Sequence, residues 1–163
     1  MQLLLIRHAI ALPRGTPDIP DDERPLTPEG VKKFEQAARG LASIVSRPDA
    51  LWTSPLLRAR HTAEIAATVW KKLAARELPA LADGDFGGLA AALAELPADA
   101  TAAAVGHEPH LSELLARLLG SKRAECLTFR KGGAALVELP GALAQGGTLL
   151  WFLPPKVLRR LAE

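Results

Sequence analysis

Four side chains in this sequence have the types and setting to act on an anion: Arg7, His8, Arg58 and His107. Arg7 and His8 follow the short apolar run Leu3-Leu4-Leu5-Ile6, which reads as a strand buried on both faces. An arginine grips a phosphoryl group through two parallel hydrogen bonds. A neutral imidazole beside it is a nitrogen nucleophile that works near pH 7. The pair therefore points to phosphoryl transfer through a histidine. Arg58 lies in Ser54-Pro55-Leu56-Leu57-Arg58, and His107 follows Gly106 after Thr101-Ala-Ala-Ala-Val105.

The elements that must position these residues alternate between strand and helix. Residues 49–53 read as a second strand and 101–105 as another. In a parallel sheet the carboxyl ends of all three strands share one edge, where open α/β sheets bind ligands. Residues about fifty apart in sequence thus converge. Thr27 as cap and Pro28 at the first helical position open a helix to about Val45. Ser54 and Pro55 repeat that signature and predict a helix to about Leu73. On that reading Arg58 is the fourth helical residue, reaching back to the free N–H groups and positive dipole end. Arg60 reads as a solvated helix charge. Further helices are predicted at 89–95 and from Pro109, with Gly120 as a stop, while 76–81 is too short to assign. Residues 133–139 and 147–153 read as two strands added antiparallel at one side, followed by a short basic helix at 155–162. The segment 9–26, with four prolines and an acidic cluster, reads as a surface loop. The fold expected is α/β: a three-layer sandwich with a mainly parallel central sheet and an antiparallel edge addition.

Bulk properties narrow the function classes. At 163 residues the chain reads as one domain, 1–163. Twenty basic residues against 18 acidic ones give +2, too balanced to argue for nucleic acid or an anionic membrane. No run approaches the ~20 apolar residues of a membrane span, and the N-terminus lacks a signal-peptide pattern, so a soluble, cytoplasmic protein is expected. The single cysteine, Cys126, excludes an internal disulfide or a cysteine zinc site and is expected to be a small buried residue.

Arg7-His8 after the first strand, Leu26-Thr27-x-x-Gly30, Ser54-Pro55-x-x-Arg58-Ala59-x-x-Thr62 and Gly106-His107-x-Pro109 together resemble the histidine phosphatase superfamily. Val105-Gly106-His107-Glu108-Pro109 and the short length resemble its SixA-type phosphohistidine phosphatases. The resemblance implies a phosphoglycerate mutase-like fold and a phosphatase that uses neither metal nor other cofactor. His8 matches the nucleophile, Arg7 and Arg58 the two phosphate-binding arginines, and His107 the second catalytic histidine.

Ala9 stands where the superfamily usually has glycine, a minor change because a backbone carbonyl still orients the imidazole. His61 is read as a surface or packing residue. His110 lies three residues after His107 but lacks the carboxylate partners of a metal site. Asp83, Asp85 and Glu108 are candidates for a general acid, each with an ordinary alternative in turn formation or first-turn helix charge. Imidazole leaves more readily than an alkoxide, so the lack of an obvious acid points to phosphohistidine. With no long insertion beyond 9–26, an open site is expected, suited to a phosphorylated protein such as a histidine phosphotransfer domain. A small phosphoester, polyphosphate, or a non-catalytic phosphate-binding module are the alternatives.

Overall fold

A computed structural model describes residues 1–163 and contains one six-stranded mixed sheet with helices on both faces. The strands are β1 (Gln2–Arg7), β2 (Ala50–Thr53), β3 (Ala75–Glu77), β4 (Thr101–Gly106), β5 (Ala134–Glu138) and β6 (Thr148–Leu153). Their spatial order is β3-β2-β4-β1-β5-β6. The first four in that order are parallel; β5 runs antiparallel to β1, and β6 antiparallel to β5. The helices are α1 (Pro28–Ile44), α2 (Leu57–Val69), α3 (Ala80–Asp83), α4 (Phe86–Ala94), α5 (His110–Leu118) and α6 (Pro155–Arg160). None is long and apolar enough to cross a membrane.

Strand β1 is central, and its alternate residues divide the core. Leu4 and Ile6 pack toward α1, α2 and α6, whereas Leu3 and Leu5 pack toward α4 and α5. Burial of both faces explains why the strand is apolar without interruption. The α/β reading, the parallel strands and the antiparallel addition all agree with the sequence.

α1 starts where its signals predict: the Thr27 side chain accepts from the Gly30 N–H at 2.9 Å, and Pro28 opens the helix. Gly30 is required by contact, since a Cβ there would lie 2.0 Å from the Ile10 carbonyl oxygen.

Four expectations change. α2 begins at Leu57, not Pro55, and ends at Val69 rather than near Leu73. Ser54 does not cap it, because its hydroxyl is drawn to His107; Arg58 is thereby the second helical residue. Residues 76–81 divide between the end of β3 and the start of α3. Segment 9–26 is not wholly a surface loop, because Ala11 pairs with Leu26 and Arg24 is buried. Cys126 is exposed, because the short 3-10 turn Ala124–Leu127 lies outside the core.

Candidate active site

Sheet register brings the predicted residues together. Arg7 pairs with Gly106 across β1 and β4, and the His8 N–H continues the ladder to the Gly106 carbonyl at 3.0 Å. Thr53 pairs with Val105, and the Ser54 N–H donates to the Val105 carbonyl at 3.0 Å. Three strand ends therefore stop side by side. His8 and His107 face each other with ring centroids 5.1 Å apart. His8, Ser54, Arg58, Thr62 and His107 are all buried, a concentration of polar groups that a core does not need for packing.

The His8 ring is held in one tautomer. Its Nδ1 lies 2.7 Å from the Ala9 carbonyl oxygen, which only accepts, so Nδ1 carries the proton and Nε2 the lone pair. Thr62 fixes the loop behind it by accepting from the Ala9 N–H at 3.0 Å and donating to the Arg58 carbonyl at 2.7 Å. Burial, above all, drives the His8 pKa from its ordinary 6.5 down to about 3, with His107, Arg58 and Arg7 adding charge in the same direction. The ring is neutral at pH 7.

His107 is set differently. Its Nε2 lies 2.7 Å from the Ser54 hydroxyl oxygen, which also accepts from the Leu56 N–H at 3.3 Å. The hydroxyl has two acceptor sites and one donor, so beside Leu56 it can donate to a bare His107 Nε2 or accept from a protonated one. The His107 Nδ1 is buried without a partner in the protein. Burial first, then Arg58 and His110, brings the His107 pKa also to about 3.

The two arginines are anchored by main-chain oxygens. Arg7 Nη1 donates to the Phe129 carbonyl at 2.5 Å. Arg58 Nη1 donates to the Asp21 carbonyl at 2.7 Å, and Nη2 lies 3.4 Å from the Asp21 carboxylate. The Nε atoms of both are buried without a protein partner. Burial pulls both guanidinium pKa values below the ordinary arginine value, Glu108 opposing this for Arg7 and Asp21 for Arg58. Arginine remains charged throughout the working pH range.

The candidate acids are all engaged. Glu108 accepts from the Phe129 N–H at 2.7 Å through one oxygen and from the Ser112 hydroxyl through the other. Since the Phe129 carbonyl holds Arg7, Glu108 braces that arginine through the backbone of a single residue. Asp85 caps α4 by accepting from the Gly87 N–H at 2.9 Å, and Asp83 accepts from the Asp85 N–H at 3.2 Å. His110 lies 3.5 Å from the Glu113 carboxylate, and no group of three metal-ligating side chains exists in the chain. His61 lies half-buried on α2, and Arg60 pairs with Glu77 at 3.7 Å.

Ser54, Thr62, Asp21 and the Phe129 peptide are site groups that residue types alone did not reveal. Ser54 and Thr62 could have been found from their spacing, four residues before and four after Arg58. The Phe129 peptide leaves no signal in sequence.

The model of the histidine phosphatase superfamily (branch 1) matches residues 3–99. An uncharacterized protein of Picosynechococcus sp. is 36% identical over 159 residues, covering 91% of this chain and 91% of that one. The structure of the protein histidine phosphatase SixA complexed with tungstate superposes with a TM-score of 0.79 at 29% identity, covering 97% of this chain and 99% of that chain. The α-ribazole phosphatase of Shigella flexneri shares the fold with a TM-score of 0.73 at 20% identity, over 95% of this chain and 97% of that chain.

Proposed function

The chain belongs to the histidine phosphatase superfamily (branch 1), and from that membership we propose that it hydrolyses phosphohistidine on a protein through a phosphoryl intermediate on His8. The observation that carries the reading is the preset His8 tautomer: a proton held on Nδ1 by the Ala9 carbonyl and a free lone pair on Nε2. His8 Nε2 attacks phosphorus in line, a P–N bond forms, and the bond to the leaving group breaks with its electron pair. Arg7 and Arg58 neutralise charge spreading over the equatorial oxygens, and His107, taken in its Nδ1–H tautomer, donates to one of them. Water then attacks phospho-His8, releasing inorganic phosphate and the free imidazole.

The substrate class follows from the leaving group. Glu108, Asp85 and Asp83 hold structural hydrogen bonds, so each would have to give one up to protonate an alkoxide. A leaving imidazole needs less protonation. The likeness to SixA supports the same choice, and its tungstate is a tetrahedral oxyanion like phosphate. A small phosphoester is the second reading, favoured by the fold shared with an α-ribazole phosphatase.

The test compares kcat/KM on a phosphorylated histidine phosphotransfer domain with a panel of sugar phosphates and nucleotides. Higher efficiency on the phosphoprotein is expected; higher efficiency on any metabolite overturns the substrate assignment. Rapid quench should trap an acid-labile, alkali-stable label in the wild type and none in His8→Ala.

A further inference from the structure

One surface of the molecule is unlike the rest, and it begins at the nucleophile loop. A groove of about 200 Å³ lies between that loop and the helices, bounded by Ala9 and Gly132 and lined by the cations Lys33, Lys131 and Arg159. Arg159 also lines a second groove of about 290 Å³, where it is joined by Arg39, Lys156 and Arg160. The two grooves share that residue and so form one track along the seam between α1 and α6. Six cations line it against one carboxylate, Glu163, whereas the whole chain carries only +2. Of the six, only Lys33 has an ion-pair partner, Glu29.

The inner end of the track is built into the site. The Gly132 N–H donates to the Arg7 and His8 carbonyls, each at 3.1 Å, which places Lys131 next to the nucleophile's own backbone. Burial, then the charges of Arg7, Arg24 and Arg58, lowers the Lys131 pKa, consistent with a side chain facing the site's cations.

The helices that bound the track also carry exposed apolar residues. The chain exposes four large hydrophobic residues, and three of them lie on these two helices, outside the lining of either groove: Ile44 at the end of α1, Val157 in α6 and Leu161 just after it. The helices meet there at contact distance: a Cβ at Gly40 would fall 1.8 Å from the Leu158 carbonyl oxygen and 3.3 Å from Leu161 Cβ. The Ser43 hydroxyl adds a bond to the Leu161 carbonyl at 3.4 Å.

We propose that the α1–α6 seam is the docking surface for the phosphoprotein substrate, and that this partner presents an acidic surface with an apolar stripe beside its phosphorylated residue. The proposal rests on the reading of the substrate as a protein. A row of cations running out from the nucleophile loop steers and orients an acidic partner. The exposed apolar residues discriminate between polyanions, since a protein surface buries against Ile44, Val157 and Leu161 and inorganic polyphosphate does not.

The probe is an acidic histidine phosphotransfer domain, used unphosphorylated for binding and phosphorylated for turnover. Three proteins are compared: wild type, Lys156→Glu/Arg160→Glu, and Leu161→Ser. Every substituted side chain is exposed and outside the proposed catalytic groups. The charge reversal should weaken binding and lower kcat/KM on the phosphoprotein by about tenfold or more, and abolish most of the salt dependence of wild type. Leu161→Ser should weaken protein binding but leave binding of long-chain polyphosphate unchanged. Turnover of p-nitrophenyl phosphate should be unaffected in both variants.

Unchanged phosphoprotein kinetics in the charge-reversed variant would overturn the docking surface while leaving the substrate reading intact. Binding lost on charge reversal, with no wild-type turnover of the phosphoprotein, would sustain the surface and overturn the substrate. Binding of polyphosphate alone through Lys156 and Arg160 would overturn the protein partner.

Discussion

The two halves of the sheet supply the site in different currencies. The parallel half, β1, β2 and β4, contributes side chains: Arg7 and His8, then Ser54 and Arg58, then His107. The antiparallel half contributes peptide groups just before β5. The Phe129 carbonyl holds Arg7, the Gly132 N–H binds the Arg7 and His8 carbonyls, and the Gly133 carbonyl accepts from the Arg7 N–H at 3.0 Å. The first half carries the proposed chemistry, while the second holds His8 and one arginine in place. Residue types reveal the first half, Ser54 apart, and miss the second.

This division predicts a ladder of effects. The largest belongs to His8, the proposed nucleophile. His8→Ala should lower turnover of p-nitrophenyl phosphate by at least about 10⁴-fold, because no other ring nitrogen takes the phosphoryl group. A smaller loss would remove His8 from its role.

Next come the arginines. Arg7→Ala and Arg58→Ala should each lower kcat/KM by about 10²-fold to 10³-fold and raise the inhibition constant of inorganic phosphate. Lysine should not restore either, since a point charge cannot reproduce the fork. Equal rates for wild type and either variant would dissolve the proposed phosphate pocket.

Ser54 lies one step outward. Removing its hydroxyl takes away the hydrogen bond that orients the His107 ring, so Ser54→Ala should cost about 10-fold to 100-fold in kcat, and Ser54→Thr should recover much of it. A fall in stability with no change in kcat would reduce Ser54 to packing.

Glu108 tests the antiparallel half directly. As a brace for the Phe129 peptide it can be replaced by an amide, which still accepts the Phe129 N–H. Glu108→Gln should therefore keep rate and pH profile within about twofold, while Glu108→Ala loses about tenfold or less, mainly through phosphate affinity. If Glu108→Gln loses the basic limb of the pH profile, Glu108 is a general acid after all.

The smallest effect at neutral pH concerns stability. Both histidines have folded pKa values of about 3 against an ordinary 6.5. As pH falls through about 6.5 the unfolded chain takes up protons at these rings and the folded chain does not. Stability is therefore lost progressively from about 6.5 down to about 3. His8→Asn should flatten that decline by up to ~1.4 kcal/mol per pH unit, read from urea unfolding at several pH values. Parallel curves for the two proteins would show that the ring titrates as it does in solvent.

Much of the architecture was legible because local signals acted locally. Thr27-Pro28 begins α1 as written, and the apolar run before Arg7 forms the central strand. The same cap-and-proline signal misled at Ser54, because a hydroxyl that caps a helix by default instead meets His107, 53 residues away. Cys126 misled for a related reason: burial is set by what covers a residue, and nothing covers the turn that carries it. The candidate acids were chosen for their type, and their type did not reveal that each was already hydrogen-bonded.

What the sequence determined by itself is the strand-helix order and the identity of the groups that meet at one edge, because both depend on residue type and short-range spacing. What only the tertiary structure decided is the state of those groups. The tautomer of His8 depends on the Ala9 carbonyl, the orientation of the His107 ring on Ser54, and both depressed pKa values on burial. Protonation and tautomer answer to the polarity and hydrogen-bond partners within a few ångströms: the Ala9 carbonyl is local, but Ser54 and the side chains that bury both rings arrive from distant parts of the chain.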